Sequence, residues 1–562
     1  MKLNILKNIM PVAVSAVLAL GASSCSNELD LAITDEQTTV ELDYTGLLAK
    51  IYGNLTLTGT TGGSGNPDMS QFDEGNSSFY RRIFEANELC SDECIWTWQN
   101  DDGIPELTNI SWNSSHGYNE LTYYRIMYNV TLCTYYLDAT EGTTDAQVLQ
   151  NRAEVRFIRA LHYFHFIDLY GKAPFKEHIL TASGEMITDL PTEMSRVDAF
   201  NYVVSELKAI NGDTSDSKEQ LLDFAGDDDN YGRADKVAAN MLLARLYLNA
   251  EVYTGTAQWD KAVEYATRVI GSQYVLNETP YNGRTAYEQL FMGDNGENPN
   301  ARQEIIFPIR CDGATSRSYG GSLYTIASTT GNGTPAQGLY SSDSQWTCNR
   351  ARQALVNKFF TTPTLIPMGY EEGTMENVRS VAGDERAMFF AGAENADGKN
   401  QRTYETEEKT SFPAGLGILK WNNEYATGGT PSDVAFSDTD VPLMRVAEAY
   451  LTRAEANFRM GASNDVVLAD LNKIRNRAHA SELTATQLSA LTICDEWCRE
   501  FYFEGRRRSD LIRFGYFTTG SYTWDWKGGA YEGKGVSSIY KLYPIPYNEL
   551  SSNKNMTQNP GY

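Results

Sequence analysis

The sequence is short of positive charge. Its 47 Lys and Arg residues are outnumbered by 73 Asp and Glu residues, so the 562-residue chain has a formal net charge of −26 and a pI near 4.7. Such a chain would repel phosphate-rich ligands, which argues against nucleic acid or anionic lipid headgroups as ligands. A neutral ligand remains compatible with this composition.

Cysteine occurs only eight times, and its spacing does not predict disulfides. Cys90 and Cys94 are four residues apart, as are Cys494 and Cys498. The second pair falls in a helical pattern, where side chains four residues apart touch without favouring the geometry of a disulfide. We therefore predict free thiols, most of them buried.

Histidine occurs five times, which leaves little material for a zinc site. All five residues are remote in sequence from the cysteine pairs, whereas a structural zinc ion needs four close Cys or His ligands. His162 and His165 share one face of an aromatic-rich helical pattern. We predict that both belong to the core.

Long apolar runs are absent after residues 9–20, and that run is too short to cross a bilayer. It follows a basic start and leads into Gly21-Ala-Ser-Ser-Cys25, which predicts a secretory signal peptide over residues 1–24. The small residues before Cys25 resemble the lipobox of bacterial lipoproteins. Cys25 is then the acylated first residue and 25–40 a tether, and several acyl chains would anchor the protein stably. The alternative is an ordinary cleavage site with a bystander cysteine.

Aromatic residues are abundant, at 12% of the chain with 34 Tyr and 9 Trp. Trp96 and Trp98 stand one residue apart in the segment Asp92-Glu-Cys-Ile-Trp-Thr-Trp-Gln-Asn-Asp-Asp-Gly103. If that segment is extended, the two indoles share a face and lie roughly 7 Å apart, close enough to stack neighbouring sugar rings. The alternative is that both belong to the core.

Carboxylates beside these aromatics raise the alternative of a glycoside hydrolase, because such enzymes place two carboxyls across the scissile bond. The acidic residues in question are Asp92, Glu93, Asp101 and Asp102. A second charged cluster fits ion pairing on a helix surface, without a catalytic role. It consists of Glu496, Glu500, Glu504, Arg506, Arg507, Arg508 and Asp510.

Hydrophobic periodicity predicts a mainly α fold. Helices are expected over 41–57 and 151–170, with a glycine-rich loop at 58–67 between them. Residues 234–250 and 259–270 form a helix pair like a tetratricopeptide repeat, since small Ala residues at the crossing points allow close packing. A third unit runs from 442 to 456 and from 469 to 478. The irregular stretch 271–440 is the expected binding surface, and 41–562 is expected to be a single domain.

Several blocks together resemble the SusD family (RagB/SusD-like) of outer-membrane glycan-binding lipoproteins. They span almost the whole chain: Arg152-Ala-Glu-Val-Arg-Phe-Ile-Arg-Ala160, Arg453-Ala-Glu-Ala456, Glu500-Phe-Tyr-Phe-Glu-Gly-Arg-Arg-Arg-Ser-Asp-Leu-Ile-Arg-Phe-Gly515, Tyr543-Pro-Ile-Pro546 and the ending Gln558-Asn-Pro-Gly-Tyr562. The segment Asp92-Glu-Cys-Ile-Trp-Thr-Trp98 and Trp524-Asp-Trp-Lys-Gly-Gly529 resemble the founding, starch-binding member of that family.

The resemblance implies a non-enzymatic protein, lipid-anchored in the outer membrane and exposed at the cell surface. It would bind starch or maltooligosaccharides, with no required cofactor, and deliver them to a TonB-dependent, SusC-like transporter. A curved set of aromatic rings would select the helical curvature of an α-1,4-glucan. Another glycan such as levan, or a surface glycoside hydrolase, is the alternative.

The resemblance also implies a set of ligand-binding residues. Trp96, Trp98 and Tyr319 would form an aromatic arc, Arg81 would donate hydrogen bonds, and Trp346 would close over the ligand. Where the family's starch-binding prototype has an asparagine, this chain has Asp101, which accepts hydrogen bonds but donates none. Asn100 is the alternative if the loop shifts by one residue. The stretch 327–340 also differs from the expected sequence.

Two acidic segments offer oxygen ligands of the kind calcium prefers, Asp294-Asn-Gly-Glu-Asn298 and Ser437-Asp-Thr-Asp440. Neither is a complete EF-hand loop. By resemblance, Gln303, Asp438 and Asp440 are candidate ligands for a structural Ca²⁺. Polar turns with capping aspartates are the alternative.

Overall fold

The computed structural model describes residues 43–59, 63, 67–69, 75–214, 217–331 and 344–562. The predicted signal peptide, Cys25, the tether at 25–40 and most of the 327–340 stretch lie outside the described residues. The chain divides into two units at Gly46, and Leu47–Tyr562 is compact in itself. All contacts discussed below lie within that second unit.

Helices dominate the described chain, which confirms the predicted fold class. Their bounds are Tyr44–Gly53, Phe79–Glu88, Ile104–Asn109, Gly117–Ala139, Ala146–Leu169, Arg196–Asn211, Lys236–Leu248, Ala250–Thr254, Trp259–Ile270, Pro299–Arg302, Ser322–Ala327, Gln353–Val356, Met375–Ala382, Val446–Arg459, Asn464–Arg477, Ala490–Phe501, Arg507–Arg513 and Tyr547–Ser552. Short 3₁₀ turns connect several of them.

Strands are short and occur in the described residues as antiparallel pairs. The pairs are Cys94–Trp96 with Asn349–Ala351, Lys172–Phe175 with Thr192–Ser195, Ile305–Ile309 with Val441–Arg445, and Phe389–Phe390 with Gly417–Ile418. Three of these four pairs involve the loop-rich region predicted for 271–440, so they fasten that region to itself and to its neighbours.

The long helices pack one against the next in chain order, as a repeat scaffold requires. Helix Trp259–Ile270 buries Ala262, Tyr265, Ala266 and Val269, a spacing that gives one continuous apolar face. Its Tyr265 ring stacks on Tyr247 of helix Lys236–Leu248, with centroids 5.6 Å apart. The same helix also packs against Val446–Arg459. The loop-rich region is therefore an insertion between two neighbouring helices of the array.

The third predicted unit is only partly right. The chain forms a strand at Val441–Arg445 before the helix begins at Val446, whereas helix was predicted from 442. Residues 441–445 form a strand instead of a helix because they pair with Ile305–Ile309. Val441 lies opposite Ile309, and Arg445 lies opposite Ile305. That partner lies more than a hundred residues away, so local periodicity does not reveal it.

The predicted surface ion pairing at 496–510 is wrong, because most of these side chains are buried. Arg386, Arg445 and Arg477 surround the Glu500 carboxylate, Arg445 at 2.5 Å and Arg386 at 3.2 Å. Burial by itself would raise the pKa of Glu500, but these three guanidinium groups outweigh it and hold the pKa well below its usual range. The arginines come from other segments, and helical spacing cannot place them.

The predictions for cysteine and histidine are confirmed in the described residues. The seven cysteines there are free thiols, all buried except the partly buried Cys311. Burial raises the pKa of Cys90 to about 11, so this thiol stays protonated. His162 and His165 are buried in the core, and burial lowers the pKa of His162 to about 4. Within the described residues, the helices are too short or too polar to span a bilayer.

Candidate functional site

The strand pair Cys94–Trp96 with Asn349–Ala351 joins two loops that are distant in sequence. Trp96 lies opposite Asn349, and the Thr97 amide donates to the Cys348 carbonyl at 2.7 Å. Just before the second strand, the Trp346 amide donates to Ala327 O at 2.7 Å. The loops carrying Trp98 and Trp346 are thus held on one framework.

Trp96 and Trp98 have different environments. Trp96 is 2% exposed, whereas Trp98 is 39% exposed. Their rings lie edge to face, with centroids 5.9 Å apart and an angle of 82° between the planes. The extended segment ends at Trp96, so the condition for two indoles on one face, an extended segment through Trp98, is not met. Trp98 presents the accessible ring, and Trp96 supports it from below.

Asp101 has a partner within the protein. Its Oδ2 accepts a hydrogen bond from Trp96 Nε1 at 3.1 Å, and its amide donates to Trp98 O at 3.1 Å. The carboxylate therefore provides an acceptor for the N–H of the buried Trp96 indole. Without it, this N–H would lose its hydrogen bond to water on burial and gain no other. Asn100, beside it, is exposed. Of the two neighbours, Asn100 has the freer side chain.

Arg81 is held at the start of helix Phe79–Glu88. Ser78 caps this helix by accepting from the Arg81 amide at 3.3 Å, and the same hydroxyl donates to Gly320 O at 2.8 Å. The Arg81 guanidinium donates to Glu85 Oε1 at 2.8 Å and to Gly75 O at 3.2 Å. Burial alone would lower the pKa of Arg81, but the Glu85 carboxylate raises it well above the ordinary value. Arg81 is a fixed cation.

Tyr324, on helix Ser322–Ala327, lies at the centre of the predicted residues. Its ring stacks nearly parallel on Trp96, with centroids 6.1 Å apart, and lies 6.3 Å from Trp346. The Arg81 guanidinium sits 4.6 Å over the same ring. Sequence reasoning missed this buried residue, although it follows the predicted site residue Tyr319 by only five positions. Arg81, Trp96, Trp98, Tyr324 and Trp346 are called the Tyr324 cluster below.

Tyr319 belongs to a separate aromatic patch. Its ring packs on Phe436, with centroids 5.1 Å apart, and its aromatic contacts within the described residues do not include Trp96, Trp98 or Trp346. Gly63 lies so close that a Cβ there would meet both rings, Phe436 at 2.9 Å and Tyr319 at 3.2 Å. The backbone next to Tyr319 reaches the Tyr324 cluster through the Ser78–Gly320 bond. Sequence reasoning had no signal for Phe436.

The residues proposed to hold calcium already have protein partners. Asp438 accepts from Gly313 N at 2.9 Å and from Tyr425 Oη at 2.9 Å. Asp440 accepts from Cys311 N at 2.8 Å. Among the described residues, His, Cys, Asp and Glu do not gather in groups of three that would hold a metal ion. Asp438 and Asp440 therefore already accept hydrogen bonds from backbone and side-chain donors, as aspartates in polar turns do.

Helix pairs stacked as in tetratricopeptide repeats, with an exposed indole above a buried aromatic cluster, define a helical-repeat protein that presents an aromatic surface. The chain belongs to the SusD family. Residues 303–562 match the SusD family model, and the whole chain is 44% identical to the starch-binding protein SusD of Bacteroides thetaiotaomicron over the full length of both proteins. It is also 23% identical to the SusD-like protein P25 of Formosa agariphila over 70% of this chain and 69% of the relative.

Solved structures share the fold at low sequence identity. A SusD-like protein from Bacteroides fragilis superposes with a TM-score of 0.65 at 18% identity, covering 92% of this chain and 96% of the other. The surface glycan-binding protein A from Bacteroides thetaiotaomicron, in complex with laminarihexaose, gives a TM-score of 0.63 at 18% identity over 92% and 98% of the two chains. These likenesses establish the architecture.

Proposed function

We propose that this protein binds starch and maltooligosaccharides at the cell surface and does not hydrolyse them. The observation that carries the proposal is the exposed Trp98 ring, held on a buried aromatic base beside the fixed cation Arg81. The 44% identity to a starch-binding relative over both full lengths supports an α-glucan as the ligand.

The chemistry of a glucan matches this arrangement. A pyranose ring presents a C–H face that packs on an indole, and its equatorial hydroxyls need partners that replace lost hydration. Trp98 would supply the ring, with Trp346 and Tyr319 as further aromatic contacts. Arg81 and Asn100 would reach hydroxyls, while Asp101 contributes its remaining carboxylate oxygen as an acceptor. Trp96 would act from below, as support.

Delivery to a TonB-dependent, SusC-like transporter and lipid anchoring through Cys25 complete the proposal. Membership of the SusD family supports both, and the proposed location is the outer membrane. A Cys25→Ala variant of the full chain should leave the membrane fraction and become soluble. Retention of that variant in the membrane would contradict the anchor.

Calcium at Gln303, Asp438 and Asp440 remains a prediction. A chelator should lower the melting temperature of the calcium-loaded protein if the ion is bound there. An unchanged melting temperature would contradict the calcium site.

Glycan identity is tested by isothermal titration against maltoheptaose, a cyclic α-glucan and levan. Heat with the two α-glucans and none with levan is the expected result. If levan alone bound, the ligand of this site would be a fructan and the starch proposal would be wrong. Tyr547→Ala is a matched control, because Tyr547 is 63% exposed and lies outside the Tyr324 cluster; it should bind like the wild type.

The hydrolase alternative is tested with the same protein. Glu93 is buried, and its carboxylate accepts from Phe503 N at 2.8 Å, so it does not face a surface ligand. The protein should be retarded in a gel containing amylopectin while releasing no reducing sugar. Release that disappears in Glu93→Gln would establish catalysis and overturn the binding-only proposal.

A further inference from the structure

We propose that Tyr324 is a positioning residue of the glycan site, whose buried ring holds Arg81, Trp96 and Trp346 in place without touching the sugar. This inference rests on the proposed function. It concerns a residue outside the predicted ligand contacts. It assigns to this one side chain the support of the other residues of the site.

Three segments meet on the Tyr324 ring. Trp96 stacks on it at an interplanar angle of 17°, and Trp346 approaches at 53° with centroids 6.3 Å apart. The Arg81 guanidinium lies 4.6 Å from the ring centroid, within the range of a cation–π interaction. Phe84 closes the remaining side edge-on at 5.4 Å. One buried ring thus contacts three of the residues assigned to the site.

The helix that carries Tyr324 is fastened on both sides. Ser322 at its start donates to Ser437 Oγ at 3.1 Å. Ala327 at its end accepts from the Trp346 amide at 2.7 Å, and Ser328, one residue on, accepts from Asn349 N at 2.7 Å. The Tyr324 ring is therefore held in a fixed position, and the side chains packed against it take their positions from it.

Positioning reaches the accessible indole through Trp96. Tyr324 supports the flat face of Trp96, and Trp96 supports Trp98 edge to face at 5.9 Å. Trp98 makes no aromatic contact with Tyr324 in the described residues. Removal of the Tyr324 ring should therefore alter the Trp98 surface indirectly, by loosening the indole beneath it.

The ring, and not the hydroxyl, does the positioning. Tyr324 is fully buried, and within the described part of the chain its hydroxyl has no hydrogen-bond partner. Burial raises the pKa of the Tyr324 phenol well above its ordinary value, so the group is neutral. Phenylalanine at this position keeps each ring contact and removes an unpaired polar atom, which makes Tyr324→Phe the matched conservative variant.

The test compares Tyr324→Leu with Tyr324→Phe by isothermal titration with maltoheptaose, by thermal melting and by near-ultraviolet circular dichroism. Phe200→Leu serves as a packing control, since Phe200 is buried in helix Arg196–Asn211, far along the chain from the site residues. If Tyr324→Leu does not fold, Tyr324→Met replaces it, because methionine fills the volume without a flat aromatic face.

Tyr324→Leu should weaken Kd by about tenfold or more and change the tryptophan dichroism. Tyr324→Phe should keep the wild-type Kd. Phe200→Leu should lower the melting temperature but keep the wild-type Kd. Wild-type affinity in Tyr324→Leu, or equal losses in the Leu and Phe variants, would overturn the positioning role. Absence of maltoheptaose binding in the wild type would instead overturn the proposed function.

Discussion

Two regions of this protein are assembled from distant segments in opposite ways. The Glu500 network is fully buried and consists of charged groups that satisfy one another: Glu304, Arg386, Arg445, Arg477, Glu496 and Glu500. The Tyr324 cluster consists mainly of aromatic rings and leaves Trp98 at the surface. In the first region every side chain forms ion pairs with others of the set, whereas the second region ends in an accessible ring. Buried charge here stabilises the fold, and the exposed aromatic surface is the proposed binding site.

The contrast has a physical basis. Charged groups in the interior are stable only when each has partners, because removal from water is costly. An indole loses little when one face stays exposed, and it regains contacts when a sugar covers that face. Substitutions in the two regions should therefore separate stability from affinity.

Arg445→Ala should have the largest effect. It leaves Glu500 and Glu304 without a guanidinium that lies 2.5 Å and 3.2 Å from them. Loss of one partner from a buried ion pair costs about 3–5 kcal/mol, and chemical denaturation measures that fall in the free energy of unfolding. Lys261→Ala is the control, since its pair with Glu264 is exposed and should matter little. A stable Arg445→Ala protein would refute the structural role.

Trp98→Ala should separate the two regions most clearly. Because Trp98 is 39% exposed, its removal should leave the melting temperature within a few degrees of wild type while abolishing most maltoheptaose binding. Calorimetric titration and thermal melting of the same preparation provide both readouts. Unchanged affinity would show that the accessible ring is not the platform.

Acid should weaken the Glu500 network. Burial would raise the pKa of Glu496, but Arg386, Arg499 and Arg475 outweigh it and lower the pKa to about 2; the pKa of Glu500 is also lowered. A carboxylate with a depressed pKa stabilises the fold fully above its unfolded pKa and loses that contribution as pH falls through the folded value. The contribution of the network to stability should therefore be constant from pH 7 to about pH 5, and the melting temperature should fall below about pH 4 as that contribution is lost. A melting temperature that rises below about pH 4 would contradict the network.

Asp101 should give the smallest effects, and they should depend on the replacement. Asp101→Asn keeps an oxygen that accepts from Trp96 Nε1, so both affinity and stability should change little. Asp101→Ala leaves a buried indole N–H without its partner and should cost about 1–3 kcal/mol of stability. Thermal melting and calorimetric titration measure both variants. If the two variants behaved alike, the inference that Asp101 supports Trp96 would be wrong.

Sequence reasoning succeeded where the signal is local. Helix Trp259–Ile270 was predicted with its observed bounds, because its apolar residues recur on one face. It failed where the cause is a distant partner: the strand Val441–Arg445 depends on Ile305–Ile309, and the burial of Trp96 depends on Tyr324. The resemblance to a family supplied Arg81 and Trp346, but not the residue on which both rest.

A crystal structure with a bound maltooligosaccharide tests the central claim most directly. The account predicts a glucose ring on the exposed face of Trp98, with Arg81 or Asn100 at its hydroxyls and Tyr324 beneath Trp96, out of contact with the sugar. A ligand bound away from Trp98, or one in direct contact with Tyr324, would contradict it.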